Sequence, residues 1–214
     1  MSTAPGYYAL ARPEILPFLP SGYSKVLEIG CAEGNFRGAY PPECEVWGCE
    51  VNEAAAAKAA NRLSKVLVGR YDDVADKIPA GSFDLIVCND VIEHMADHDG
   101  FLVSAREKLR PGGFLTGSIP NVRYIENIYE LLVLGDWKYR EAGILDRTHL
   151  RFFTRNSLVR TLEGHGFRIE KLEGINSVPE RRFRIAAAIL KAVTLGRWAD
   201  MPYLQFAFRA RKDD

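Results

Sequence analysis

From Lys25 to Ser118 short apolar runs alternate with segments of helical period. That pattern predicts a parallel sheet with helices on both faces. Strands are expected at Lys25–Ile29, Glu45–Cys49, Lys65–Val68, Phe83–Cys88 and Gly113–Ser118. Helices are expected at Asn52–Arg62, with Asn52 as N-cap, and at Asp97–Leu109, which ends at Arg110-Pro111-Gly112-Gly113. Right-handed crossovers would bring the carboxyl ends of these strands to one edge. Two further strands are expected at Phe167–Leu172 and Tyr203–Ala210.

The remainder reads as additions to one domain spanning residues 1–214. Residues 1–24 form a helical lead-in, 119–155 an aromatic and charged cover over the active-site edge, and 179–202 an amphipathic helical insertion. In the last of these, Arg181, Arg182, Arg184, Lys191 and Arg197 are interspersed with Phe183, Ile185, Ile189, Leu190, Val193 and Leu195. Such a helix suits either a solvated cover on the sheet or, through residues 180–197, peripheral contact with a membrane or partner protein.

The 28 basic and 28 acidic side chains cancel, so no global field draws the chain to nucleic acid or to an acidic membrane, and any such partner must be held by a local patch. Cys31, Cys44, Cys49 and Cys88 form no CxxC pair, which points to buried free thiols. The chain shows neither the pattern of a signal peptide nor a membrane-length apolar run, and a cytoplasmic location is the expectation.

The first strand runs into Gly30-Cys31-Ala32-Glu33-Gly34, the way open α/β sheets build a ligand crevice. Glu50, twenty residues after Gly30, ends the next strand, where a carboxylate can accept both hydroxyl protons of a ribose. A dinucleotide fingerprint needs glycine where Ala32 and Asn35 stand, and Glu33 would repel a pyrophosphate. The loop therefore favours a nucleoside with a cationic end over a dehydrogenase cofactor.

Four segments follow in order: Val26–Gly34, Gly48-Cys49-Glu50, Phe83–His94 and Leu109–Phe114. In this order and spacing they resemble the motifs of class I S-adenosylmethionine-dependent methyltransferases, over roughly residues 7–175. The resemblance implies an α/β, Rossmann-like, doubly wound, mostly parallel seven-stranded sheet with an antiparallel last strand. It implies S-adenosylmethionine as cofactor, with Glu28, Gly30, Cys31, Ala32 and Gly34 around its methionine part and Glu50 on its ribose. Val51, Tyr71 and Asp72 would lie near adenine, while Asn89 and Asp90 would close the pocket toward substrate. Ala32 departs from the usual middle glycine, and Arg70 stands where many relatives carry an acid.

Asp90, Glu93 and His94 fall at i, i+3 and i+4, one face of a helix if the chain turns helical there. With His149 they resemble the sets that hold a divalent cation in ubiquinone-pathway O-methyltransferases and small-RNA 2′-O-methyltransferases. Two carboxylates and two imidazoles suit Mn, Fe or Zn. A second reading makes His149 a general base oriented by Asp146 or Glu93. A third makes Glu93, His94 and His149 structural.

Gly143–Thr154, Tyr7–Pro20 and Gly135–Tyr139 resemble methyltransferases of bacterial surface-polysaccharide synthesis, which implies a small-molecule, sugar or glycan hydroxyl acceptor. Trp137 and Tyr139 would either stack on a sugar or form the insertion's own core. RNA 2′-O-methylation and a non-catalytic cofactor-binding subunit are the rival readings.

Overall fold

The structure, a computed structural model, describes residues 12–213. Seven strands form its sheet: β1 (Lys25–Ile29), β2 (Glu45–Glu50), β3 (Lys65–Val68), β4 (Phe83–Asn89), β5 (Leu109–Pro120), β6 (Phe167–Ser177) and β7 (Tyr203–Lys212). Their order is β3-β2-β1-β4-β5-β7-β6, with β7 antiparallel to both neighbours and β1 through β5 parallel. This is the doubly wound arrangement expected above. β1 lies between β2 and β4, so the strand order reverses there and a crevice opens beyond its carboxyl end.

The central strands are apolar because they are buried on both faces. Leu27, Ile29, Ile86 and Cys88 pack into one cluster, while Val26, Leu85 and Val87 pack into another on the opposite side. The first cluster is covered by α2 (Tyr71–Val74), α3 (His98–Lys108) and α5 (Arg155–Gly164), and the second by α1 (Glu53–Ala59) and the 3₁₀ turn Pro13–Phe18. Local chemistry sets the helix starts. Asn52 accepts from the N–H of Ala55, Asp97 from that of Gly100, and Thr154 and Ser157 bond reciprocally as a capping box.

Each cysteine is buried and free. Of the expected helical lead-in, residues 1–11, including Tyr7, fall outside the described residues; Pro13–Phe18 is a single 3₁₀ turn and residues 19–24 are irregular, so the described part is helical only in that turn.

Two insertions build a third cluster beside the sheet. The chain leaves β5 into α4 (Ile125–Tyr129) and a π-helical turn, Glu130–Leu134, then runs irregularly to Thr154. α6 (Arg181–Val193) packs with Tyr124, Ile125, Ile144, Leu145 and Met201. The helix therefore covers the first insertion rather than the sheet. Trp137 joins this cluster against Phe152, whereas Tyr139 is exposed. Trp137 is thus part of the insertion's own core.

Candidate active site

β1 ends in a backbone turn shaped to leave space. Gly30 has φ +70°, and a β-carbon there would lie 2.8 Å from Val91. The N–H groups of Gly30 and Cys31 both donate to the Cys49 carbonyl, at 2.9 and 3.1 Å, fastening the loop to β2. Ala32 takes φ 49°, a left-handed conformation that costs an alanine roughly 1–2 kcal/mol. This is where the class I resemblance expects glycine, so the backbone shape persists although the residue has changed. The Ala32 N–H donates to Glu50 at 2.9 Å, and the other oxygen of Glu50 accepts from the Asn52 N–H at 2.8 Å. Held this way, the carboxylate retains lone pairs for further donors.

A cavity of about 430 Å³ opens between this loop and the segment after β4. Among the expected cofactor residues, Gly30, Ala32, Glu50, Val51, Tyr71, Asp72, Asn89 and Asp90 line it. Arg70 lines it too. Three of those expected there lie elsewhere. Cys31 turns its sulfur toward Gly48, and Gly34 faces Ala59, leaving room for α1 to approach. Glu28 is buried beneath the loop, where the Tyr40 hydroxyl donates to it at 3.3 Å. β-strand alternation explains this, since Glu28 and the cavity-lining Ile29 point to opposite faces.

Burial pushes the Glu28 carboxyl up to about 8, opposed by the Tyr40 hydrogen bond and reinforced by the charge of Glu50. Because the folded protein holds this proton more tightly than the unfolded chain, its stabilising effect is complete below about pH 4.5. It is lost as pH rises through about 8. Without cofactor, the urea midpoint is expected to fall between pH 5 and 9 relative to Glu28→Gln, a difference on the order of 4 kcal/mol in stability. Parallel pH dependences in the two proteins would refute this assignment.

The expected helical face after β4 is not formed. Ile92–His94 makes one 3₁₀ turn, and α3 begins only after its cap at Asp97. Asp90, with φ 53°, instead turns back toward the sheet. It pairs with Arg12 at 2.5 Å, accepts from Gln205 at 2.7 Å on each oxygen, and accepts the Ser118 hydroxyl at 2.9 Å. Asp90 is thereby separated from the set that sequence spacing grouped it with.

Glu93, His94 and His149 do converge, with one ligand atom from each lying within 4.8 Å of the others. The N–H groups of Leu150 and Arg151 both bond to the Glu93 carbonyl, at 2.8 and 3.1 Å, which docks the 145–154 segment on this turn. The His149 Nδ1 lies 2.8 Å from the Ile144 carbonyl, and the His94 Nδ1 lies 3.2 Å from the Thr148 carbonyl and 3.0 Å from its hydroxyl. A carbonyl accepts only, so each Nδ1 carries a proton, and in the neutral imidazole Nε2 is the atom with the lone pair. The Thr148 hydroxyl donates to Asp146 at 2.7 Å. Asp146 consequently orients His94 through Thr148, not His149 as expected.

His94 lines the cavity together with Met95, Asp146, Thr148 and Leu150, whereas Glu93 and His149 lie behind it. Burial lowers the basicity of His94, and the neighbouring His149 lowers it further. Glu93 is 1% exposed, and neither of its oxygens has a hydrogen-bond partner among the described residues. Burial pushes its carboxyl well above the usual range. The Oδ1 of Asn89 is also buried without a partner, at the rim of the same cavity.

Arg12, Thr148, Ser118 and Gln205 complete the site but escaped the sequence reading. Thr148 alone had a local signal, because Asp146-Arg147-Thr148 has the form of an Asx turn, in which the Asp146 carboxylate accepts the Thr148 N–H at 2.8 Å.

Comparison with known proteins matches residues 3–172 to a family described as a methyltransferase domain. The chain is 31% identical to a trans-aconitate 2-methyltransferase of Deinococcus radiodurans over 46% of its own length and 38% of that relative's. It thus spans less than two fifths of that protein. It is 26% identical to a ubiquinone biosynthesis O-methyltransferase of Aromatoleum aromaticum over 87% of this chain and 78% of the relative. Its fold resembles a SAM dependent methyltransferase from Archaeoglobus fulgidus, with a TM-score of 0.68 at 19% identity over 93% of this chain and 90% of the other.

Proposed function

The chain belongs to the methyltransferase-domain family, and from that premise we propose that it transfers a methyl group from S-adenosylmethionine to a hydroxyl of a small molecule or sugar. The cofactor's chemical contribution is a methyl group already activated on a sulfonium. The residues present fit it. Glu50, steered by the Ala32 and Asn52 N–H groups, suits a ribose diol, and the unpartnered Asn89 oxygen suits an ammonium donor. The backbone at Gly30 and Ala32 permits close approach, while Val51, Tyr71 and Asp72 line the end suited to adenine.

The observation that carries the choice of acceptor is the arrangement of His94. Its Nδ1 is tied to Thr148 and its ring lines the cavity shared with Glu50, so Nε2 is the atom free to take an acceptor proton. A carboxylate acceptor is already ionised near neutral pH and needs no base, whereas a hydroxyl does. This favours chemistry of the kind named for the ubiquinone relative over that named for the trans-aconitate relative. Incubation with matched sugar alcohols, phenols and carboxylic acids tests it. Methyl ethers are expected, and methyl esters as the dominant product would overturn the choice.

Glu93 supports a second reading. A buried carboxylate with no donor is costly, and one ring nitrogen from each histidine lies within 4.8 Å of it. Glu93, His94 and His149 would then hold Mn, Fe or Zn, which would polarise an acceptor hydroxyl. The backbone carbonyls bonded to both Nδ1 atoms are the supports that ligating histidines normally have. Titration with Mn²⁺ is expected to show one site that Glu93→Gln abolishes. Equal binding by wild type and variant would reject it.

A further inference from the structure

α6 is apolar on two faces. Phe183, Ala187 and Leu190 face the third cluster, whereas Ile185, Ile189 and Val193, spaced four apart, form an outward stripe. No element among the described residues covers that stripe; Val193 is 75% exposed, and Leu195 just beyond the helix is 93% exposed. A second apolar element adjoins it. α4 meets α6 through the Tyr129 and Phe183 rings, 5.8 Å apart, and then runs into the Glu130–Leu134 turn, where Leu132 is 71% exposed. A water-facing apolar surface of this kind marks an interaction site.

Charge indicates the partner. Residues 181–197 carry Arg181, Arg182, Arg184, Lys191 and Arg197 and no acidic side chain, although charges balance over the whole chain. All five cations are exposed, with Arg181 on the border of the stripe next to Ile185 and Arg182 beside Ile189 and Val193, whereas Arg184 and Lys191 project from the far side of the helix. The outward apolar residues of α6 and of the Glu130–Leu134 turn are aliphatic, whereas the aromatic Phe183 and Trp198 pack inward. Protein interfaces usually place their aromatic anchors outward. No helix among the described residues is long and apolar enough to cross a membrane.

We propose that the outer face of α6, with the Glu130–Leu134 turn beside it, docks on an anionic lipid bilayer. The helix lies in the interface plane, with Ile185, Ile189 and Val193 among the acyl chains and the flanking cations at lipid phosphates. This is independent of which group the chain methylates.

Cosedimentation of the full chain with vesicles of phosphatidylcholine alone, or mixed equally with phosphatidylglycerol, tests the proposal. Binding is expected only to the mixed vesicles and should weaken with added salt. The triple variant Ile185→Ser/Ile189→Ser/Val193→Ser and the double variant Arg181→Gln/Arg182→Gln should each lower partitioning by roughly tenfold or more. These five side chains are exposed, and unchanged circular dichroism and melting would confirm intact folds. Absence of vesicle binding, equal binding to both vesicle types, or unaltered binding by both variants would each overturn the proposal. So would a dimer in sedimentation velocity that the apolar variant dissociates without vesicle binding, since the stripe would then face a second copy.

Discussion

Glu50→Ala is expected to weaken binding of S-adenosylhomocysteine about a hundredfold by isothermal calorimetry. Two ribose hydroxyls donating to one carboxylate are charge-assisted bonds, together worth roughly 3 kcal/mol. The substitution also frees the N–H groups of Ala32 and Asn52, so part of the loss would come from the loop itself. Glu50→Gln separates these contributions: the amide keeps the side chain's size and an acceptor oxygen, and an intermediate loss of about tenfold is expected. A dissociation constant for Glu50→Ala within a few-fold of wild type would remove Glu50 from the cofactor site.

His94→Ala should leave that affinity within a few-fold but lower methyl transfer by roughly 10²–10³, the range in which a positioned base contributes. Added imidazole should restore part of the rate, which a purely structural loss would not allow. His149→Ala should have the smaller effect on turnover, because His149 lies behind His94 and outside the cavity lining. The reverse order of effects would return the base to His149. Thr148→Val offers a gentler probe, because it removes the hydroxyl linking Asp146 to His94 while preserving the side chain's size. The Thr148 carbonyl, 3.2 Å from His94, remains in place, so an intermediate loss is expected.

The sheet was legible because its central strands are buried on both faces and therefore read as unbroken apolar runs. β1 and β3 match their expected bounds. β6 was read short because its later half alternates with exposed Glu173 and Ser177 and pairs only with β7. The edge with the cavity was legible in part: Gly30 and Glu50 line the cavity from the strand ends where the sequence put them, whereas Glu28, Cys31 and Gly34, expected beside them, lie off it. The substrate edge was not legible. Its spacing suggested a helix carrying Asp90, Glu93 and His94 on one face, but Asp90 is claimed by Arg12 and Gln205, which lie 78 and 115 residues away in the chain. No local pattern announces partners so distant. The convergence of His149 on Glu93 and His94 could be proposed from the family resemblance, yet which imidazole faces the cavity depends on hydrogen bonds to Ile144 and Thr148. The outward stripe on α6 was hidden for a related reason: apolar residues on two faces of one helix look alike in sequence until its neighbours are known.

Methyl transfer is assigned to the cavity between Glu50 and His94. Its most direct test is mass spectrometry of the chain incubated with methyl-deuterated S-adenosylmethionine and a pool of hydroxylated small molecules and sugars. S-adenosylhomocysteine is expected together with a product bearing one deuterated methyl ether, both lost in Glu50→Ala and sharply reduced in His94→Ala. Stoichiometric cofactor binding with no label leaving the cofactor for any acceptor would contradict it and leave a cofactor-binding subunit in its place.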